Sequence, residues 1–124
     1  MQIKRHYTSA SDSPYAALAF AKRTSEVRDI SGEAISEAIE FDAPQEWSQV
    51  ACDILAQKYF RRAGVASNLK PANEDGVPDW LRRHEPDDSK PKKGKKLFKL
   101  GGESDARQVF DRMAGCWTYW GWKG

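Results

Sequence analysis

Cysteine and histidine are scarce in this sequence, with two of each among 124 residues. Cys52 and Cys116 are too far apart for a CxxC redox pair, and His6 and His84 have no carboxylate or cysteine at ligand spacing, so a metal cluster is excluded as an expectation. Both cysteines fall among apolar residues in helical patterns and read as reduced, buried thiols. No apolar run approaches the eighteen or so residues that span a bilayer, and the first 23 residues lack the apolar core of a signal peptide. The expected location is the cytoplasm, with no membrane partner. Charge of one sign is also lacking overall, since the net charge is +2. Six lysines between Lys90 and Lys99 exceed that total, so the rest of the chain is net acidic and the basic character is local. With 40% hydrophobic and 31% charged residues, one domain with a modest core is what this length allows.

Residues 1–14 include "TSASDSP", whose side chains bond their own backbone and favour turns, so a polar N-terminal arm is expected there. Two half-apolar runs then flank Asp29-Ile30-Ser31-Gly32, where glycine suits the positive φ of a tight reversal, and together they read as a β-hairpin. The alternative is a helix through "GEAISEAIEF", which contains good helix formers. Farther on, Trp47, Val50, Ala51, Ile54, Leu55 and Tyr59 recur at amphipathic spacing. The spacing predicts a helix from Pro44 or Glu46 to Ala63, stopped by Gly64 in the left-handed region.

Between Val65 and Gly102, prolines and glycines interrupt every long element, leaving "PDWLRRHE" as a short helical turn pinned by Trp80 and Leu81. The lysine run could contact nucleic acid, but with a single interleaved aromatic, Phe98, it reads instead as a mobile, solvated loop over residues 86–103. A final helix follows, with Ser104 as N-cap and Asp105 at the positive end of the dipole. Its stripe is Ala106, Val109, Phe110, Met113, Ala114 and Trp117; at about 100° per residue, Tyr119, Trp120 and Trp122 cannot all join that face. The two stripes are expected to share a core, Trp47, Ile54 and Leu55 against Val109, Phe110 and Met113. The fold class expected is α+β but mainly helical: an N-terminal hairpin, then two long amphipathic helices joined by an irregular loop.

Chemistry is thin. Carboxylate pairs such as Glu37 with Glu40 have no apolar setting to keep one protonated, and no nucleophile elbow or phosphate loop is present. No catalytic, cofactor-binding or metal-binding residue is assigned.

Two segments nevertheless carry a resemblance. "WSQVACDILAQKYFRRAGV" (Trp47 to Val65) and "GGESDARQVFDRMAGCWTYWGWKG" (Gly101 to Gly124) resemble the N-terminal region of the adenosylcobalamin-dependent, class II ribonucleotide reductases. "SEVRD" with Gly32, and "VPDWLRR" (Val77 to Arg83), fit in the same order, so the matching blocks cover a little over half of the chain and place residues 15–124 in that region. The resemblance implies an α/β barrel after this region, where adenosylcobalamin generates a thiyl radical on a barrel cysteine and a thioredoxin-type protein resupplies the reducing pair. Cys52 and Cys116 do not match those cysteines.

The resemblance thus implies a non-catalytic segment of a ribonucleoside-diphosphate reductase, inactive alone, in a family that makes deoxyribonucleotides for DNA replication. Trp117, Tyr119, Trp120 and Trp122 are then the candidate interface with the catalytic barrel, in cis or in trans. The alternative is a free-standing interaction module that grips a partner protein through the aromatic C-terminal helix. A third reading, a nucleic-acid-binding protein acting through the lysines, has least behind it.

Overall fold

The computed structural model describes residues 4–88 and 99–124. Strand β1 (Phe20–Ser25) pairs antiparallel with β2 (Ile39–Pro44), Arg23 standing opposite Phe41. The alternation of Phe41 and Ala43 inward with Glu40 outward is the period-2 pattern of a half-buried strand. The reversal is where glycine was expected to permit it: Gly32 has φ of 86° and its N–H bonds the Asp29 carbonyl at 3.1 Å. The helical alternative for residues 32–41 is therefore overturned, because β2 takes its last three residues and Ala34 bridges back to Arg28.

The chain next forms a short helix α1 (Gln49–Ile54), capped by Ser48, whose hydroxyl accepts from the Ala51 N–H at 3.2 Å. It passes directly into a wider π-helical turn, Leu55–Tyr59, closed by Phe60 N–H to the Leu55 carbonyl. The helix expected from Pro44 or Glu46 to Ala63 is thus trimmed at both ends. Pro44 belongs to β2, and Phe60 leaves the helix in extended geometry. Gly64 does have positive φ, at 78°, but stands past the helix end and leads into β3 (Val65–Ala66).

Strand β4 (Leu69–Pro71) pairs with β5 (His84–Pro86), and a 3-10 turn, Asp79–Leu81, lies between them with Leu81 buried and Trp80 exposed. Strand β6 (Leu100–Gly101) returns to pair with β3. A Cβ on Gly102 would meet the Arg62 carbonyl oxygen at 3.0 Å, so glycine lets the two segments close. Helix α2 (Ala106–Lys123) completes the chain. Its N-cap is Asp105, not Ser104: the Asp105 side chain accepts from the Arg107 N–H at 2.8 Å, while Gln108 reaches back to the Ser104 and Asp105 N–H groups.

The fold is therefore not mainly helical. Among the described residues, six short strands form three antiparallel pairs, and only α2 is a long helix. The physical reason is that local segments too proline- and glycine-rich for helices still satisfy their backbone groups by pairing in twos. Residues 89–98 of the mobile loop assigned to 86–103 fall outside the described residues; of the rest, Pro86 lies in β5, Leu100 and Gly101 in β6, and Glu103 is buried.

The core sits between the β1–β2 hairpin, α1 with its π turn, and the first turns of α2. Phe41, Cys52, Leu55, Ala56, Phe60, Ala106 and Val109 are buried there, and Phe41 and Phe60 meet edge-to-face at 5.1 Å. Backbone pairing reinforces the join, since the Asp42 N–H donates to the Ser104 carbonyl.

Candidate functional site

The stretch from Trp47 to Phe60, α1 with its π turn and flanking residues, carries two overlapping apolar stripes. Cys52, Leu55, Ala56 and Phe60, also at helical spacing, face the hairpin and are buried. Trp47, Ala51, Ile54, Leu55 and Tyr59, most of the stripe visible in the sequence, instead form one wall of an open groove. Val109, Phe110, Met113, Ala114 and Trp117 of α2 form the other wall, enclosing roughly 590 Å³. The expected pairing of the two stripes is realised at the groove floor: Leu55 and Val109 are buried together, and Trp47 meets Phe110 at 5.7 Å. It fails higher up. Ile54 and Tyr59 are about half exposed, and Trp117 is 61% exposed.

The aromatic end spreads over two faces. At about 100° per residue, Trp120 falls within about 20° of Val109 and Met113, extending the α2 wall past the reach of α1. It is 63% exposed. Tyr119 points elsewhere and is half-buried, its hydroxyl donating to Glu74 at 3.0 Å. Arg83 holds that same carboxylate through its backbone N–H at 3.0 Å and its guanidinium at 2.5 Å, and also lies over the Tyr119 ring. Those Arg83 bonds, with the Tyr119 hydroxyl, pull Glu74 from its ordinary value of 4.5 down to about 2. Trp122 tilts against Tyr119 with ring centres 6.5 Å apart and is less exposed than Trp117 or Trp120. The four candidate residues thus divide: Trp117 and Trp120 belong to the groove face, Tyr119 and Trp122 to the face that grips the β4–β5 loop.

Two further polar ties fix α2. Glu103 is buried; burial pushes its carboxyl up, but Arg112 at 2.9 Å and the Arg61 N–H outweigh that and hold it below the usual range. Tyr15 donates to Asp111 at 2.7 Å, and burial, then this bond, raises its phenol. These ties were invisible in the sequence, because each joins residues separated by dozens of positions or by no repeating interval.

Cys52 is sealed in the core and Cys116 is half-buried on α2, both free. Among the described residues no group of three or more His, Cys, Asp or Glu could hold a metal ion, and no helix is long and apolar enough to cross a membrane.

The family model for class II vitamin B12-dependent ribonucleotide reductase, in its N-terminal region, matches residues 21–124. The chain belongs to the class II, vitamin B12-dependent ribonucleotide reductases. Two bacterial proteins of that name align over all 124 residues, at 48% identity in Bradyrhizobium diazoefficiens and 46% in Agrobacterium fabrum. A third, from Rhodopirellula baltica, is 36% identical over 47 residues, covering 38% of this chain and 4% of that protein. The chain spans about a tenth of the length of the first two reductases. The region that the family model matches takes in the hairpin from Ala21 onward, both groove walls and all of α2.

A corrin such as that of vitamin B12 is fringed with amides that need polar partners, and the side chains of these walls offer few: the Tyr59 hydroxyl and the Trp47 and Trp117 indole N–H groups, among apolar neighbours.

Proposed function

We propose that this chain is the non-catalytic N-terminal segment of an adenosylcobalamin-dependent ribonucleoside-diphosphate reductase. In this reading it braces the catalytic barrel that converts ribonucleotides to deoxyribonucleotides for DNA synthesis. Adenosylcobalamin, the radical cysteine and the cysteines served by a thioredoxin-type reductant are assigned to the remainder of the polypeptide. The observation that carries the reading is the exposure of Trp117 and Trp120 on α2, in a chain that aligns end to end with about a tenth of two reductases. Exposed apolar patches of this kind mark surfaces that another protein surface covers. The cysteines support it too: Cys52 cannot meet a nucleotide from inside the core, and it leaves Cys116 without a partner for dithiol chemistry.

Two measurements test it. The purified 124-residue chain, given adenosylcobalamin, a dithiol and a ribonucleoside diphosphate, is expected to show no turnover; any turnover sinks the non-catalytic assignment. Collisional quenching of tryptophan fluorescence, with sedimentation, is expected to show Trp117, Trp120 and Trp122 more accessible in the 124-residue chain than in the full-length reductase, and the short chain self-associating. Equal shielding of all five tryptophans in a monodisperse short chain would instead favour a free-standing module.

A further inference from the structure

The groove between α1 and α2 is an unfinished core. Its floor is sealed by Leu55 and Val109, its walls are apolar, and its open side leaves Ile54, Tyr59 and Trp117 half or more exposed. Trp120 prolongs one wall beyond the end of the other. From Val109 to Trp117 the wall rises about 12 Å, the length of two helical turns. Two helical walls that face each other across a groove open along one edge offer a ridged apolar surface on which a third helix can pack.

We propose that this groove seats an apolar helical ridge from the part of the reductase polypeptide beyond residue 124, docking in cis through side chains at i, i+3 or i+4, and i+7. The inference rests on reading this chain as part of the longer reductase, and it adds the particular seat and the kind of segment that fills it. The occupant is argued from length: the two fully aligned relatives are about ten times longer, so some nine-tenths of such a polypeptide lies outside these residues. Tethering raises that portion's effective concentration at the groove above that of any separate partner or second copy. The chemistry of the walls sets the rest. With hardly a polar group to satisfy, they reward aliphatic and aromatic side chains and penalise a charged or amide-rich segment.

The test is site-specific photocross-linking in the full-length reductase carrying these residues. Benzoylphenylalanine replaces Ile54, whose half-exposed position on the groove wall tolerates the larger ring, or Trp122, which lies off the groove face. The probe at 54 is expected to join peptides from beyond residue 124 with helically spaced apolar residues. Adding Ala51→Arg, which puts a charge in the groove, is expected to cut that yield at least tenfold while the yield at 122 stays unchanged. Cross-links from 54 to a second copy, to residues 89–98 or to nothing overturn the proposal. If 122 still joins the downstream chain in that case, only the groove assignment falls; if neither site does, the bracing function falls with it.

Discussion

Phe41 and Phe110 look alike in the sequence, as single aromatics in half-apolar runs, yet their surroundings differ. Phe41 is fully buried and packed on Phe60, whereas Phe110 lies partly open on the groove wall. Phe41→Ala is expected to cost about 3 to 5 kcal/mol in chemical denaturation, and Phe110→Ala clearly less, because solvent and a yielding wall limit the cavity left behind. Glu74 gives a pH dependence. Its folded value of about 2 lies below its ordinary 4.5, so the stability it contributes is complete above about 4.5 and lost as pH falls toward 2. The Tyr119 ring resonances are expected to move across that window as the Glu74–Arg83–Tyr119 tie loosens, and Glu74→Gln is expected to remove that component. A Tyr119 signal that titrates alike in both proteins would contradict the assignment.

Helix α2 starts one residue later than side-chain preference alone suggests. Ser104 and Asp105 are both good caps, and the decision lies in the tie between the Ser104 carbonyl and Asp42, which holds Ser104 on the β2 side of the boundary. Asp105→Ala is accordingly expected to lower stability by about 0.5 to 2 kcal/mol, and Ser104→Ala to stay within about 0.5 kcal/mol, both measured by thermal or urea unfolding. The hairpin turn and α2 were legible in the sequence because glycine chemistry and helical periodicity are local signals. The short strands were not: β3 and β6 are two residues each, and what specifies them is pairing across a long separation. On α1 the period was legible but ambiguous. Two stripes share Leu55, and the one with the larger side chains, Trp47 and Tyr59, drew attention although the smaller Cys52 and Ala56 fill the core. Size advertises a stripe, but the available space against β2 selects which one is buried. The candidate site was half legible for the same reason, with Trp117 and Trp120 readable as a continued stripe and the Glu74 tie to Tyr119 unreadable.

At the scale of the molecule, three separate strand pairs and an open groove make a unit whose cohesion depends on a few crossings: β2 with the start of α2, Glu103 with Arg61 and Arg112, and Glu74 with Tyr119. A further crossing lies at Ser67 and Asn68, between β3 and β4. The Ser67 N–H donates to the Lys99 carbonyl at 2.9 Å, and the Asp87 N–H to the Asn68 carbonyl at 3.1 Å, so the chain departs and comes back at adjacent residues. The described fold is thus pinned on both sides of residues 89–98. Closure of a loop grows only logarithmically more costly with length, about 0.6 kcal/mol per doubling. A ten-residue Gly-Ser insertion after Lys93 is therefore expected to leave urea stability within about 1 kcal/mol of the parent, and a larger loss would mean that this segment packs on the body. The two neighbouring anchors thus form a staple: the described chain leaves at Asp88 and re-enters at Lys99 beside adjacent residues of one short segment, so strain imposed between those points meets two backbone bonds before it reaches the core.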